Sequence, residues 1–152
     1  MTLSQKEISL LSDLRSSEQL CIEKYTKYAA MANDPALKNL FSDISRTEQT
    51  HLKSINEILA GTEVSMPSES PSAVAAKITP PASPADAEGR SEDSYLCRDA
   101  LSMEKHVSGV YDIAVFEFTS PVLRDTLAHI QKEEQNHGEM LYNYLATNGM
   151  YG

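Results

Sequence analysis

At an offset of 86 residues the first half of the chain matches the second without a gap. Leu10 pairs with Leu96, Asp13 with Asp99, Glu18 with Glu104, Tyr25 with Tyr111, Pro35 with Pro121, Leu37 with Leu123 and Ile44 with Ile130. Further along, Glu48 and Gln49 pair with Glu134 and Gln135, His51 with His137, and Leu59 and Ala60 with Leu145 and Ala146. A duplication of this kind obliges the fold to be assembled from two like units packed on one another. Each unit holds two stretches with apolar residues at helical spacing, about Leu3 to Asn33 and Pro35 to Ala60, then Glu92 to Thr119 and Pro121 to Thr147. Between the members of each pair stand Asn33, Asp34 and Pro35, or Thr119, Ser120 and Pro121, a polar cap followed by proline at the first position of a new helix. Each unit is therefore an αα-hairpin.

Residues 61–90 join the hairpins and hold five of the seven prolines, Pro67, Pro71, Pro80, Pro81 and Pro84, with many Ser and Ala and little apolar periodicity. Two helix pairs and one long connection give an all-α fold, a four-helix bundle with a crossover, over residues 1–152 as a single domain.

The inward face of each helix follows from steps of three and four. The first helix offers Leu11, Leu14, Glu18, Cys21, Tyr25, Tyr28 and Ala32; the second offers Phe41, Ile44, Glu48, His51, Ile55 and Ile58. The third offers Cys97, Ala100, Glu104, Val107, Tyr111, Ala114 and Phe118; the fourth offers Leu127, Ile130, Glu134, His137, Leu141 and Tyr144. Apart from phenols and thiols, the ionisable residues on these seams are four Glu and two His. Two residues of an antiparallel hairpin lie level when their mean position falls at the turn. That mean is Asn33 for Glu18 and Glu48, and Thr119 for Glu104 and Glu134. The repeat then brings all four carboxylates to one layer of the core, with His51 and His137 one turn, roughly 5 Å, farther from the turns.

Four ionised carboxylates in a low-dielectric core repel one another, and each costs several kcal/mol of lost hydration. Two divalent cations cancel the four charges. One Glu from each of two helices and Glu-x-x-His from each of the other two is the ligand set of di-iron and di-manganese carboxylate bundles, because positions i and i+3 share a helix face. With 14 Glu and four His in the chain, chance supplies about 0.4 such motifs. Two of them at one repeat position, each level with a partner Glu, point to a metal site at Glu18, Glu48, His51, Glu104, Glu134 and His137. The alternative is an inherited, empty site with protonated or hydrogen-bonded carboxylates. Both iron and manganese accept these ligands.

Tyr25 and Tyr111 each follow a ligand Glu by seven residues and place a phenol where it can support a carboxylate, although core packing explains them as well. Cys21 shares the face of Glu18; it reads as a small buried residue before a redox-active one. His106 and His129 lie off the seam and read as solvent-facing, and Glu133 and Glu139, which have no equivalents in the first half, as surface charge. The formal charge of −9 disfavours nucleic acid and anionic lipid and favours metal ions. No apolar run reaches the roughly 18 residues of a membrane span. The opening stretch MTLSQKEISL lacks a basic region followed by an apolar block, so cytoplasmic synthesis is expected. Cys21 and Cys97 form neither a paired zinc-ligand spacing nor a disulfide framework.

Three stretches, ISLLSDLRSSEQLCIEKYTKYA, DPALKNLFSDISRTEQTHLKSINEIL and EEQNHGEMLYNYL, give the chain a resemblance to the ferritin-like superfamily. It resembles more closely the spore coat protein F (CotF-like) family of endospore-forming bacteria. The resemblance covers nearly everything outside the Pro-rich connection. It implies that Glu18 and Glu104 are terminal ligands, that Glu48 and Glu134 bridge the ions, and that His51 and His137 bind one ion each. The Glu18 to Tyr25 spacing is similar to that of rubrerythrins, where a tyrosine supports the site. The chain departs from rubrerythrin in lacking a rubredoxin-like cysteine module, and from storage ferritins in lacking a short fifth helix after the bundle.

Two functions follow from the resemblance. One is a coat protein made in the mother-cell cytoplasm and deposited in the spore coat, with other coat proteins as partners and the connection as a mobile contact segment. The other is a di-metal oxidoreductase of ferroxidase, peroxidase or catalase type, acting on O2 or peroxide. Met66, Val74 and Ile78, apolar residues in the connection, hint at a covering role or at pairing into a homo-oligomer.

Overall fold

The computed structural model describes residues 1–66 and 70–151; Pro67 of the connection and Gly152 lie outside the described residues. The described residues form four long helices and one short one: α1 (Gln5–Met31), α2 (Pro35–Leu59), α3 (Pro71–Ala75), α4 (Ala87–Glu117) and α5 (Pro121–Thr147). Local chemistry fixes their starts. Ser4 and Glu7 form a reciprocal capping box on α1. Asp34 accepts from the Ala36 amide and Ser120 from the Leu123 amide, each followed by proline in the first turn, where its missing N–H costs nothing. After α2 the chain turns through Gly61 at φ 96°, a left-handed conformation in which glycine carries no steric penalty.

α4 begins five residues before the Glu92 expected from periodicity. Asp86 caps it by accepting from the Gly89 amide at 2.8 Å, and no large apolar residue marks this first turn. Space is tight at Gly89: a Cβ would stand 3.2 Å from Asn33 Cγ, and Asn33 Nδ2 donates to the Gly89 carbonyl.

α1 pairs with α2 and α4 with α5, and the hairpins meet mainly through α1 and α4, whereas α2 and α5 touch less. A reciprocal lock, absent from the sequence reading, joins them. Asp93, near the start of α4, accepts from the amides of Asn33 and Asp34 at 2.7 and 2.9 Å, in the turn of the first hairpin. Its repeat equivalent Glu7, near the start of α1, accepts from the amide and hydroxyl of Thr119, both at 3.3 Å, in the turn of the second. Each hairpin thus satisfies the orphan amides of the other's turn.

The connection is strapped along α5, where a mobile segment was expected. Thr126 donates to the Val64 carbonyl, Asn143 to the Ala76 carbonyl and Asn136 to the Ser72 hydroxyl. Asn148 accepts from the Ser83 amide. α3 packs on α5 beside the wider α2/α5 groove. Met66 is half-buried against the bundle, while Val74 and Ile78 are exposed. Among the described residues no helix is long and apolar enough to cross a membrane. The seam residues face the core as their spacing requires, with Tyr28 alone only partly buried.

Candidate metal centre

Mid-height in the bundle, α1 supplies Glu18, α2 Glu48 and His51, α4 Glu104, and α5 Glu134 and His137; none is more than 2 % exposed. All six converge. Donor atoms of Glu18, Glu48, His51 and Glu134 lie within 4.8 Å of one another, as do those of Glu48, Glu104, Glu134 and His137. Glu48 and Glu134 belong to both groups, Glu18 and Glu104 to one each, so the halves of the cluster are related as the halves of the sequence are. His51 Nδ1 stands 2.9 Å from Glu134 Oε1, and His137 Nδ1 stands 3.0 Å from Glu48 Oε1. Each imidazole therefore faces the carboxylate of the opposite hairpin. The two rings lie 6.2 Å apart, 29° from parallel.

Apolar seam residues pack above and below this layer, and two phenols bond its carboxyls. Tyr25 donates to Glu104 Oε1 and Tyr111 to Glu18 Oε1, both at 2.5 Å, each across the hairpin interface. Burial first, and then the neighbouring carboxylates, push both phenols well above their ordinary range, so they remain donors.

Among themselves the carboxyls divide into two kinds. Burial, then the charges of Glu18 and Glu104, push Glu48 well above the usual carboxylate range. Glu134 is raised in the same way, by burial and then Glu104, Glu48 and Glu18. Burial works against Glu18 and Glu104 too, yet both are held below that range. A protonated Glu48 or Glu134, the facing imidazole and the phenol favour their ionised forms. Burial opposes the charged form of His51, but the facing carboxylates of Glu133 and Glu18 outweigh it and lift the imidazole to about 10.

Buried polar atoms in folded proteins nearly always have a hydrogen-bond partner. Among the described residues, every buried side-chain nitrogen or oxygen without one belongs to these six residues. They include both oxygens of Glu48 and of Glu134 and the Nδ1 of both histidines, whose approaches to Glu134 and Glu48 at 2.9 and 3.0 Å lack the angles of a hydrogen bond. Oxygens and imidazole nitrogens so arranged, carrying four negative charges when ionised, fit a pair of divalent ions that would replace the protons.

Two residues differ from the sequence expectation. Glu133, read as surface charge, is buried at 8 % exposure. Its Oε1 lies 3.2 Å from His51 Nε2, and its Oε2 accepts from Ser70 at 3.1 Å. His129, read as solvent-facing, is half-buried, with Nε2 3.1 Å from Glu133 Oε1. Both changes have one cause: the connection covers the flank of α5 and widens its buried arc beyond a single seam. The His129 and Glu133 pair at i, i+4 was the available signal. His106 and Glu139 are exposed. Cys21 is buried, and desolvation with the charges of Glu48 and Glu18 pushes its thiol far up, which keeps it protonated. Cys97, raised to about 12 by burial, donates to the Leu141 carbonyl.

Fold and site together define a class: an all-α bundle of two duplicated hairpins around a buried carboxylate and imidazole cluster. Residues 92–152, nearly all of α4 and the whole of α5, match the family model of the Coat F domain. The match over most of the second hairpin is in line with the resemblance to the spore coat protein F family. No curated protein and no solved structure matches the chain.

Proposed function

We propose that the chain is a spore coat protein whose ferritin-like bundle holds two divalent ions, iron or manganese, in a carboxylate-bridged centre. It would be made in the mother-cell cytoplasm and deposited in the coat among other coat proteins. The Coat F match over the second hairpin supports the coat assignment. The observation that carries the metal assignment is the confinement of unpartnered buried polar atoms to Glu18, Glu48, His51, Glu104, Glu134 and His137. In this reading Glu48 and Glu134, which belong to both donor groups, would serve both ions, Glu18 and Glu104 would serve one each, and each histidine would hold one ion. Tyr25 and Tyr111 hold the terminal carboxylates in orientation.

A second reading, a di-metal oxidoreductase acting on O2 or peroxide, is favoured by a cavity of about 560 Å³ whose lining includes His137. A bound pair of redox-active ions supplies electron exchange with such a substrate. The chain's own part would be to keep the site dry and the ligands oriented.

One experiment separates the readings. Metal content by mass spectrometry, with ferroxidase and peroxide-consumption assays, is compared between the natural chain and Glu48→Ala plus Glu134→Ala. Two ions per chain with turnover lost in the variant supports the enzyme; two ions without turnover supports a structural centre in a coat protein. Absence of metal under every loading condition removes the di-metal assignment from both.

A further inference from the structure

The two histidines of the cluster are repeat equivalents, but their outer nitrogens are not. On a metal-binding imidazole the second nitrogen normally donates to a carboxylate or carbonyl, which fixes the ring and its tautomer. His51 has such a partner: Nε2 lies 3.2 Å from Glu133 Oε1. Glu133 is itself held from two sides, by Ser70 of the connection at Oε2 and by His129 at Oε1. The residue equivalent to Glu133 on the other side is Thr47. Its hydroxyl donates to the Asp43 carbonyl of its own helix, at 3.5 Å. His137 Nε2 is buried and has no partner.

The surroundings differ in the same sense. A cavity of about 560 Å³ lies in the groove between α2 and α5, under the connection, and Thr47, His137, Ile44, Met140 and Tyr144 are among its walls. That is many times the volume a single water requires. On the other side Glu133 closes over the outer edge of His51. One imidazole is clamped, and the other adjoins open space.

We propose that the two ion positions are inequivalent by construction: Glu133 clamps His51 and makes its position the retained one, while the position at His137 is the exchangeable one, reached through the α2/α5 cavity. Glu133 is a positioning residue, acting through the His51 ring. The inference rests on the di-metal reading above and goes beyond it, since the ligand set alone is symmetric.

The test is a titration of the full chain with Mn2+, followed by calorimetry and by electron paramagnetic resonance, with the release of each ion into excess chelator timed separately. Two steps are expected, the first about 10–100-fold tighter than the second, with one ion released slowly and one quickly. Glu133→Gln removes the difference by weakening the first step. Thr47→Glu, which gives His137 the missing carboxylate, narrows it by strengthening the second. Circular dichroism establishes that each variant is folded; should Glu133→Gln fail to fold, Thr47→Glu decides alone. Two ions bound with equal affinity and equal release, or a Thr47→Glu variant whose second step is unchanged, overturns the inference and leaves the di-metal reading standing. A chain that takes up no Mn2+ overturns both.

Discussion

Tyr25 and Tyr111 follow Glu18 and Glu104 by seven residues on their own helices, yet each phenol bonds the carboxylate of the other helix. The pair therefore ties α1 to α4 as well as orienting two oxygens. A hydrogen bond from a buried phenol to an ionised carboxylate is worth about 1.5–3 kcal/mol, and its loss leaves the acceptor unsatisfied. Tyr25→Phe and Tyr111→Phe are expected to destabilise by that amount, and by similar amounts because the sites are repeat equivalents. Urea denaturation of the two variants measures both the cost and its symmetry. For the bridging pair the sign depends on metal. Glu48→Gln with Glu134→Gln removes two buried carboxyls that must take up protons on folding and raises the melting temperature in chelator, but lowers it in excess Mn2+, where ligands are lost. Thermal unfolding under the two conditions shows whether the order inverts.

Between elements, the locks made by Glu7 and Asp93 govern how the hairpins dock. Hydrogen bonding at the Ser4 amide, and then at Thr119, holds Glu7 below the ordinary glutamate range, with burial opposing. A carboxyl lowered on folding stabilises the protein above its unfolded pKa, about 4.3, and that increment disappears as pH falls through the lower folded value. The stability difference between the natural chain and Glu7→Gln should be full at neutral pH and vanish in acid, as read from denaturation midpoints across that range. Asp93 satisfies two turn amides, so Asp93→Ala leaves both without acceptors. The Asp34 amide is the buried one, and orphaning it costs about 1–3 kcal/mol. Equilibrium unfolding is expected to show a larger loss than for any exposed acid on α4, such as Asp112.

For the molecule as a whole, an ion that binds only the folded chain stabilises it by RT ln(1 + [L]/Kd), about 2.7 kcal/mol at a hundredfold excess over Kd. For a domain of this size that is about 5–10 °C in melting temperature. Calorimetry with and without Mn2+ or Fe2+ checks this, and an unchanged melting temperature counts against a centre that binds metal. The same layer that would hold the ions is where the two hairpins meet, so binding there should tighten the bundle as a unit. Slower amide hydrogen exchange in all four long helices on metal addition is the corresponding observation.

The four long helices, the turns within each hairpin and the six clustered residues were legible in the sequence because each depends on local rules: a period near 3.6, a cap before proline, and a spacing of three between Glu and His; the short α3 was not. The 86-residue repeat carried those rules from one hairpin to the other. Relations between surfaces that meet only after folding were not legible. Nothing local to Glu133 shows that the connection will bury it against His51. Nothing near Glu7 or Asp93 shows that each will cap a turn of the opposite hairpin, and the early start of α4 depends on how closely Gly89 approaches Asn33. The sequence by itself determined four amphipathic helices and the polar layer at their centre, since periodicity and symmetry suffice for both. Tertiary structure alone decided which equivalent residues remain equivalent, because the single connection covers one flank of a bundle whose two halves are otherwise alike.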